Sequence, residues 1–283
     1  MGRVIKTVLA AGAAVVAVSV AQAKAKAPVD LTGQKANYTL SLAKVRGHSV
    51  TGAVGRLSFD VTRTCKGFAV DQRLTLLVRN GDGTLSRTVS NYETWESLNG
   101  HRFSFLLRQT EDGKTRTELK GRARMTATGG TVHYLAPVGR TATLPQGTLF
   151  PMAHTRALLQ AAEAGKPYID PPLFDGTSPH GAEHSFVAIL GWHKPDAERF
   201  KSLSGLPSTS VDIGFFPRTA KDNTPDFRTE ARYFTNGVAR AVRLDFGDFV
   251  LRGRLVGLTV PPQKSCATAE AGDGAAAGAG QQG

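Results

Sequence analysis

In the run Phe68-Ala69-Val70-Asp71-Gln72-Arg73-Leu74-Thr75-Leu76-Leu77-Val78-Arg79, closed by Asn80-Gly81-Asp82-Gly83, side-chain character repeats every second residue. Phe68, Val70, Leu74, Leu76 and Val78 fall on one side, and Asp71, Arg73, Thr75 and Arg79 on the other. Successive side chains of a strand point to opposite faces, so this is a strand with one buried face and one wet face. Asn-Gly and Asp-Gly tolerate the positive φ of a tight hairpin, so the chain should reverse at 80–83 and pair antiparallel.

The same rhythm extends outward in both directions. Tyr38, Leu40 and Leu42 alternate with Thr39, Ser41 and Ala43. Further turn signals stand at Asn99-Gly100, Asp112-Gly113, Gly129-Gly130 and Asn236-Gly237. The stretch from Tyr38 to Thr143 is therefore expected to be a meander of about eight antiparallel strands. One segment breaks the pattern: after Phe150-Pro151, the residues Thr155, Leu158, Leu159 and Ala162 recur at helical spacing. Pro151 suits a first helical turn, Gly165 the position just past the end, and Pro167 forbids continuation. The spacing predicts one helix over 151–164, then a Gly/Pro/His-rich connection at 175–184. Strands are expected again at 184–191, 209–216, 227–235, 238–246 and 248–260, with long loops at 192–208 and 217–226. Meander, helix, meander points to an all-β fold with one helix, the antiparallel sheet curled around it as an open or spiral β-barrel. A two-sheet sandwich satisfies the same pattern.

The beginning of the chain reads as a secretory signal. Arg3 and Lys6 precede an uncharged apolar run from Thr7 to Val20, and Ala21-Gln22-Ala23 supplies a small-x-small cleavage pattern. The alternative, a membrane anchor, needs roughly 20 apolar residues, and this run is shorter. Residues 1–23 are expected to be removed after Ala23, and no Cys follows the cut to carry a lipid. A single domain then spans 24–266, followed by a disordered Ala/Gly-rich tail at 267–283. Lys and Arg outnumber Asp and Glu 35 to 23, a formal charge of +12. Such a surface suits anionic partners such as lipid head groups or wall polymers, with nucleic acid disfavoured by export. The two cysteines, Cys65 and Cys266, read most simply as one disulfide in an oxidising compartment, against the alternative of two buried thiols.

Candidate chemistry is sparse. His180, His184 and His193 have only a loose metal-ligand spacing across a loop running into a strand, so no metal or other cofactor is expected. Ser41-x-x-Lys44 matches the penicillin-recognising string, but on a strand its two side chains are expected on opposite faces, where the helical geometry of that chemistry fails. Glu93 and Glu96 should also face opposite ways, a poor acid/base pair. No nucleophile elbow, phosphate loop or zinc-protease motif occurs. On the strand 115–125, Arg116, Lys120, Arg122 and Arg124 share one face with Glu118, while Leu119, Ala123 and Met125 occupy the other. This is either a solvated face or a basic band for an anionic partner.

Several segments together resemble the EipB-type cell-envelope integrity proteins of alphaproteobacteria, a family long known as a domain of unknown function. They are Tyr92-Glu93-Thr94-Trp95-Glu96 with Asn99-Gly100 and Phe103-Phe105; Leu144-Pro145-Gln146-Gly147-Thr148-Leu149-Phe150-Pro151 running into His154; Phe174-Asp175-Gly176; and Cys266. The resemblance covers roughly Val29 to Cys266. It implies a periplasmic, open spiral β-barrel with a disulfide between Cys65 and Cys266, and a role in envelope integrity without an established enzymatic activity. Two readings of function follow. One is a non-enzymatic protein that binds a periplasmic protein or an anionic envelope component, lipid or wall polymer. The other is a carrier of a lipid or lipidated cargo in the barrel, a fold-level analogy. A hydrolase acting on wall or lipid substrates is the least favoured.

Overall fold

The computed structural model describes residues 29–217, 224–263 and Cys266. The signal at 1–23, the tail at 267–283 and part of the 217–226 loop lie outside the described residues. The first meander comprises β1 (Gln34–Val45), β2 (Val50–Arg63), β3 (Gly67–Asn80), β4 (Leu85–Ser97), β5 (Arg102–Glu111), β6 (Lys114–Thr126), β7 (Gly129–Ala136) and β8 (Arg140–Leu144). Helix α1 (Pro151–Glu163) and two short strands, β9 (Tyr168–Ile169) and β10 (Pro172–Leu173), follow. The second meander is β11 (Glu183–His193), β12 (Ser208–Phe216), β13 (Phe227–Phe234), β14 (Ala239–Asp245) and β15 (Phe249–Thr259).

The two meanders form one sheet rather than a sandwich. Antiparallel pairing runs β10-β11-β12-β13-β14-β15-β1-β2-β3-β4-β5-β6-β7-β8, with β9 attached to β11. The first strand of the chain thus sits mid-sheet, joined to the last by the β1–β15 ladder. Among the described residues no ladder joins β8 to β10; a single bridge, Leu149 to Leu173, marks their approach. The barrel is therefore open. Bulges at Asn37/Tyr38 and Leu42/Lys44 of β1 add the bending that lets so long a sheet curl. The second bulge also overturns one expectation: it breaks the alternation and leaves both Ser41 and Lys44 exposed. They still lie on a strand, without the helical geometry that the Ser-x-x-Lys chemistry requires.

Two further boundaries differ from expectation. Trp192 and His193 continue β11 instead of opening a loop, and β9 and β10 arise between the helix and the connection expected at 175–184, where the sequence pattern predicts no strand. Those strands are two residues long, with Pro167 before β9, Pro171 before β10 and Pro172 opening β10, too short to carry a periodicity.

Helix α1 fills the curl. Its N-cap, Phe150, has no side-chain oxygen to offer, so capping must come from elsewhere in the chain. Its end is a Schellman motif: Gly165, at φ 72°, donates its N–H to Ala162 C=O, and Lys166 donates to Ala161 C=O. Met152, His154, Leu158, Leu159, Ala161 and Ala162 are its buried face. Met152, Leu158 and Leu159 pack with Val61, Phe68 and Val70 of β2–β3 and with Val187, Val211 and Ile213 of β11–β12. The helix thus touches both meanders and cements the curl.

Candidate functional site

The sequence blocks that carry the family resemblance converge on the entry to α1. Glu96, near the end of β4, points inward, and its carboxylate accepts the N–H groups of Met152 at 2.7 Å and Ala153 at 2.8 Å. A carboxylate there satisfies orphan donors of the first turn and complements the positive end of the helix dipole. Burial nevertheless pushes the Glu96 carboxyl up to about 7, against the pull of those two N–H bonds and of Arg156. Glu93 is exposed, so the two glutamates face opposite ways as expected.

Around this cap lies an aromatic cluster. Phe103 stacks on Phe150 with ring centroids 4.9 Å apart, and Phe174 meets Phe103 and Phe105 edge-on at 6.0 and 5.5 Å. Tyr92 donates its hydroxyl to the Asp175 carbonyl. Tyr134 donates to Ser178 C=O at 2.8 Å and accepts from Gly181 N–H at 3.1 Å, tying the 174–182 segment onto β7. Gly176 has φ 80°, and a Cβ there would fall 2.4 Å from the Phe105 ring. Gly176→Ala is expected to cost about 2–3 kcal/mol from overpacking and the left-handed backbone. Thermal denaturation should register this as a fall of about 5–10 °C. Asp175 is held by Thr177, whose N–H and hydroxyl reach its carboxylate at 2.9 and 2.8 Å. Burial pushes the Asp175 carboxyl up. Glu183 rises to about 7, first from burial, then from the charges of Asp175 and Asp226.

His154 and Ser185 form a buried Ser–His contact on this face, at 2.9 Å. Ser185 donates its proton to Pro171 C=O at 2.8 Å, so its oxygen accepts from the imidazole N–H. That is the reverse of an activated serine, whose hydroxyl must donate to the histidine. Burial lowers the His154 pKa to about 4, which keeps the ring neutral. This pair fastens α1 to β11.

Between α1 and the sheet lies a cavity of about 170 Å³, lined by Gln34, Tyr38, Gln72, Met152, Thr155 and Tyr233 among others. Gln34 Oε1 is buried there without a hydrogen-bond partner among the described residues. The space is below the ~300 Å³ at which small-molecule pockets begin.

The outer face is different. Arg116, Lys120, Arg122 and Arg124 are exposed on β6, and Leu119, Ala123 and Met125 are buried, as the alternation predicts. Register then adds residues the sequence did not group with them: Arg102 lies opposite Arg124, and His133 opposite Arg122. Together with Trp95 and Thr131, these line a hollow of about 550 Å³. Arg116 pairs with Glu111 at 2.8 Å. Among the described residues no ion pair engages Arg102, Lys120, Arg122 or Arg124.

Cys65, in the turn between β2 and β3, forms a disulfide with Cys266, with Cα atoms 5.5 Å apart. His184 and His193 lie at opposite ends of β11, and His180 contacts Arg140 at 3.2 Å. Among the described residues no three metal-ligating side chains cluster, so the histidines that invited a metal search are not brought together. No helix there is long and apolar enough to cross a membrane.

Residues 25–262 match the model of the EipB-like family. The chain is 27% identical over 248 residues to the cell envelope integrity protein EipB of Brucella abortus (strain 2308), covering 84% of this chain and 87% of that protein. Its fold is similar to the crystal structure of a β-barrel-like protein, a domain of unknown function from Brucella abortus. That match has a TM-score of 0.76 and 26% identity, and covers 83% of this chain and all of the other. With the model matched over most of its length, the chain belongs to the EipB-like family.

Proposed function

We propose that this protein works in the periplasm, without catalysis, to maintain the cell envelope. It does so by docking an anionic envelope component, or a protein partner, on the outer face of β5–β7. The observation that carries the reading is the basic band itself. Arg102 and Arg124 stand directly opposite each other, an arrangement that costs stability in a sheet, and among the described residues no acidic side chain pairs with either. A face that was only solvated would gain nothing from that repulsion, whereas an anionic partner relieves it. Support for the setting comes from the name of the Brucella relative, from the signal-like residues 1–23 and from the disulfide.

The test is complementation. A strain lacking the gene should lose survival under detergent or a wall-active antibiotic, and the wild-type gene should restore it. Arg122→Glu/Arg124→Glu, accumulating to the wild-type level, should restore little. Full rescue by that variant would remove the band from the function, and a deletion strain that survives every challenge would remove the envelope role.

Carriage of lipid is less favoured because α1 occupies the curl and leaves about 170 Å³ beside it. A lipid would have to displace the helix. Stoichiometric lipid in an organic extract of the purified protein, detected by mass spectrometry, would restore that reading.

A further inference from the structure

A second basic site, separated from the band by β1–β4, lies where the sheet comes apart between β14 and β15. Their ladder runs from Asp245/Val250 only as far as Val242/Gly253. Beyond that point β14 bulges against β13, and Ala241 takes a φ of 56°, a left-handed conformation that a residue with a Cβ rarely adopts. Strained backbone of this kind persists where surrounding structure enforces it, and bulges of this kind are common beside functional sites.

The opening is a pocket of about 390 Å³ bordered by Arg240 and Ala241 on one strand and Arg252 and Arg254 on the other. Arg199 and Phe200, from the segment between β11 and β12, complete it. That segment is anchored by Leu203, which is fully buried in the core. Leu255 and Phe200 give the pocket an apolar base.

Charge in this pocket is unbalanced. Arg240 is engaged by Glu198, and Arg243 approaches Glu230 at 3.4 Å. Arg243 Nε is buried and makes no hydrogen bond among the described residues. Arg199 packs over the Phe200 ring at 5.4 Å. Among the described residues no carboxylate forms an ion pair with Arg199, Arg252 or Arg254. Arg243 and Arg252 also stand directly opposite each other across the two strands. Five arginines border the hollow; Arg240 and Arg243 each face a carboxylate, which leaves Arg199, Arg252 and Arg254 without one among the described residues and available to a doubly or singly charged oxyanion. Arginine is the side chain whose planar fork grips phosphate oxygens in pairs.

We propose that this pocket binds a phosphate group, held by Arg199, Arg252 and Arg254, with Phe200 and Leu255 beneath it as an apolar base that would seat a carbon chain where the phosphate carries one. The phosphate could come from a phospholipid headgroup or from free phosphate, and the two sources make different demands on the apolar base. The test is calorimetric titration of the folded protein with inorganic phosphate and, separately, with dihexanoyl phosphatidylglycerol kept below its micelle concentration. Saturable binding is expected, weakened about tenfold by Arg252→Ala and by Arg254→Ala, and weakened by Arg252→Lys because the fork is lost. Arg79→Ala, an exposed change on β3, should leave it unaltered. Tighter binding of the lipid than of phosphate, reduced by Phe200→Ala, assigns the headgroup as source; equal binding assigns free phosphate. Absence of saturable binding for both probes overturns the proposal. So does binding that Arg252→Ala and Arg254→Ala weaken no more than Arg79→Ala does.

Discussion

Replacing Cys65 or Cys266 by alanine is expected to lower the melting temperature by about 10 °C, and reducing the wild-type protein should lower it to the same value. The bridge closes a loop of 201 residues. For a loop of that length the chain-entropy model gives an upper figure of about 5 kcal/mol, and real bridges often deliver less. Its position adds a specific consequence. The second meander is joined to the first by the ladder between β15 and β1, and β1 pairs in turn with β2. Cys65 follows β2 in the turn to β3, and Cys266 lies beyond β15, so the bridge ties the chain beyond one end of this junction to the other. Without it, backbone amides of β15 should exchange with solvent faster than those of β3–β5, as read by hydrogen exchange. A melting temperature indifferent to reduction would mean that the ladder alone holds the junction.

Much of this architecture could be read from the chain because strands and helices each impose a period on side-chain character. The meander expected from Tyr38 to Thr143 is β1–β8 with ends displaced by a few residues, and the helix expected at 151–164 is α1 at 151–163. The basic face of β6 followed from the same alternation. What the sequence could not supply was register. Arg102 and His133 join Arg122 and Arg124 only because of how β5 and β7 are offset against β6. Bulges are equally silent in sequence. One exposes Ser41 together with Lys44, and another, at Ala241, opens the sheet beside Arg252 and Arg254. The blocks behind the resemblance, for their part, named Glu96, Phe150 and Gly176 without saying why those residues are needed. The reason lies in contacts across long separations, such as Glu96 to Met152, which no local pattern encodes.

Glu96→Ala is expected to cost about 3–4 kcal/mol, a fall of roughly 10 °C in melting temperature. The loss comes from leaving the Met152 and Ala153 N–H groups without their acceptor, at a helix whose own N-cap residue offers none. The pH dependence of that cost tests the cause. The Glu96 carboxyl is raised from its ordinary 4.5 to about 7, chiefly by burial, so the folded protein holds this proton more tightly than the unfolded chain does. Its contribution is fully present below about 4.5 and is lost as pH rises through about 7. His154 runs the other way: lowered by burial to about 4, it favours the fold increasingly as pH rises from about 4 to its ordinary 6.5. Because His154 is present in both proteins, its slope cancels when wild type and Glu96→Ala are compared. The gap between the two, measured by denaturant unfolding, should therefore be widest near pH 4 and narrow toward pH 8. A gap that widened with pH would mean that the ionised carboxylate, bonded to the positive end of α1, gains more from the helix than burial takes away. The cap would then be tuned for charge rather than against it. In either case the helix depends on a side chain from β4 for its first turn, so the curl and the helix that fills it are held together as one unit.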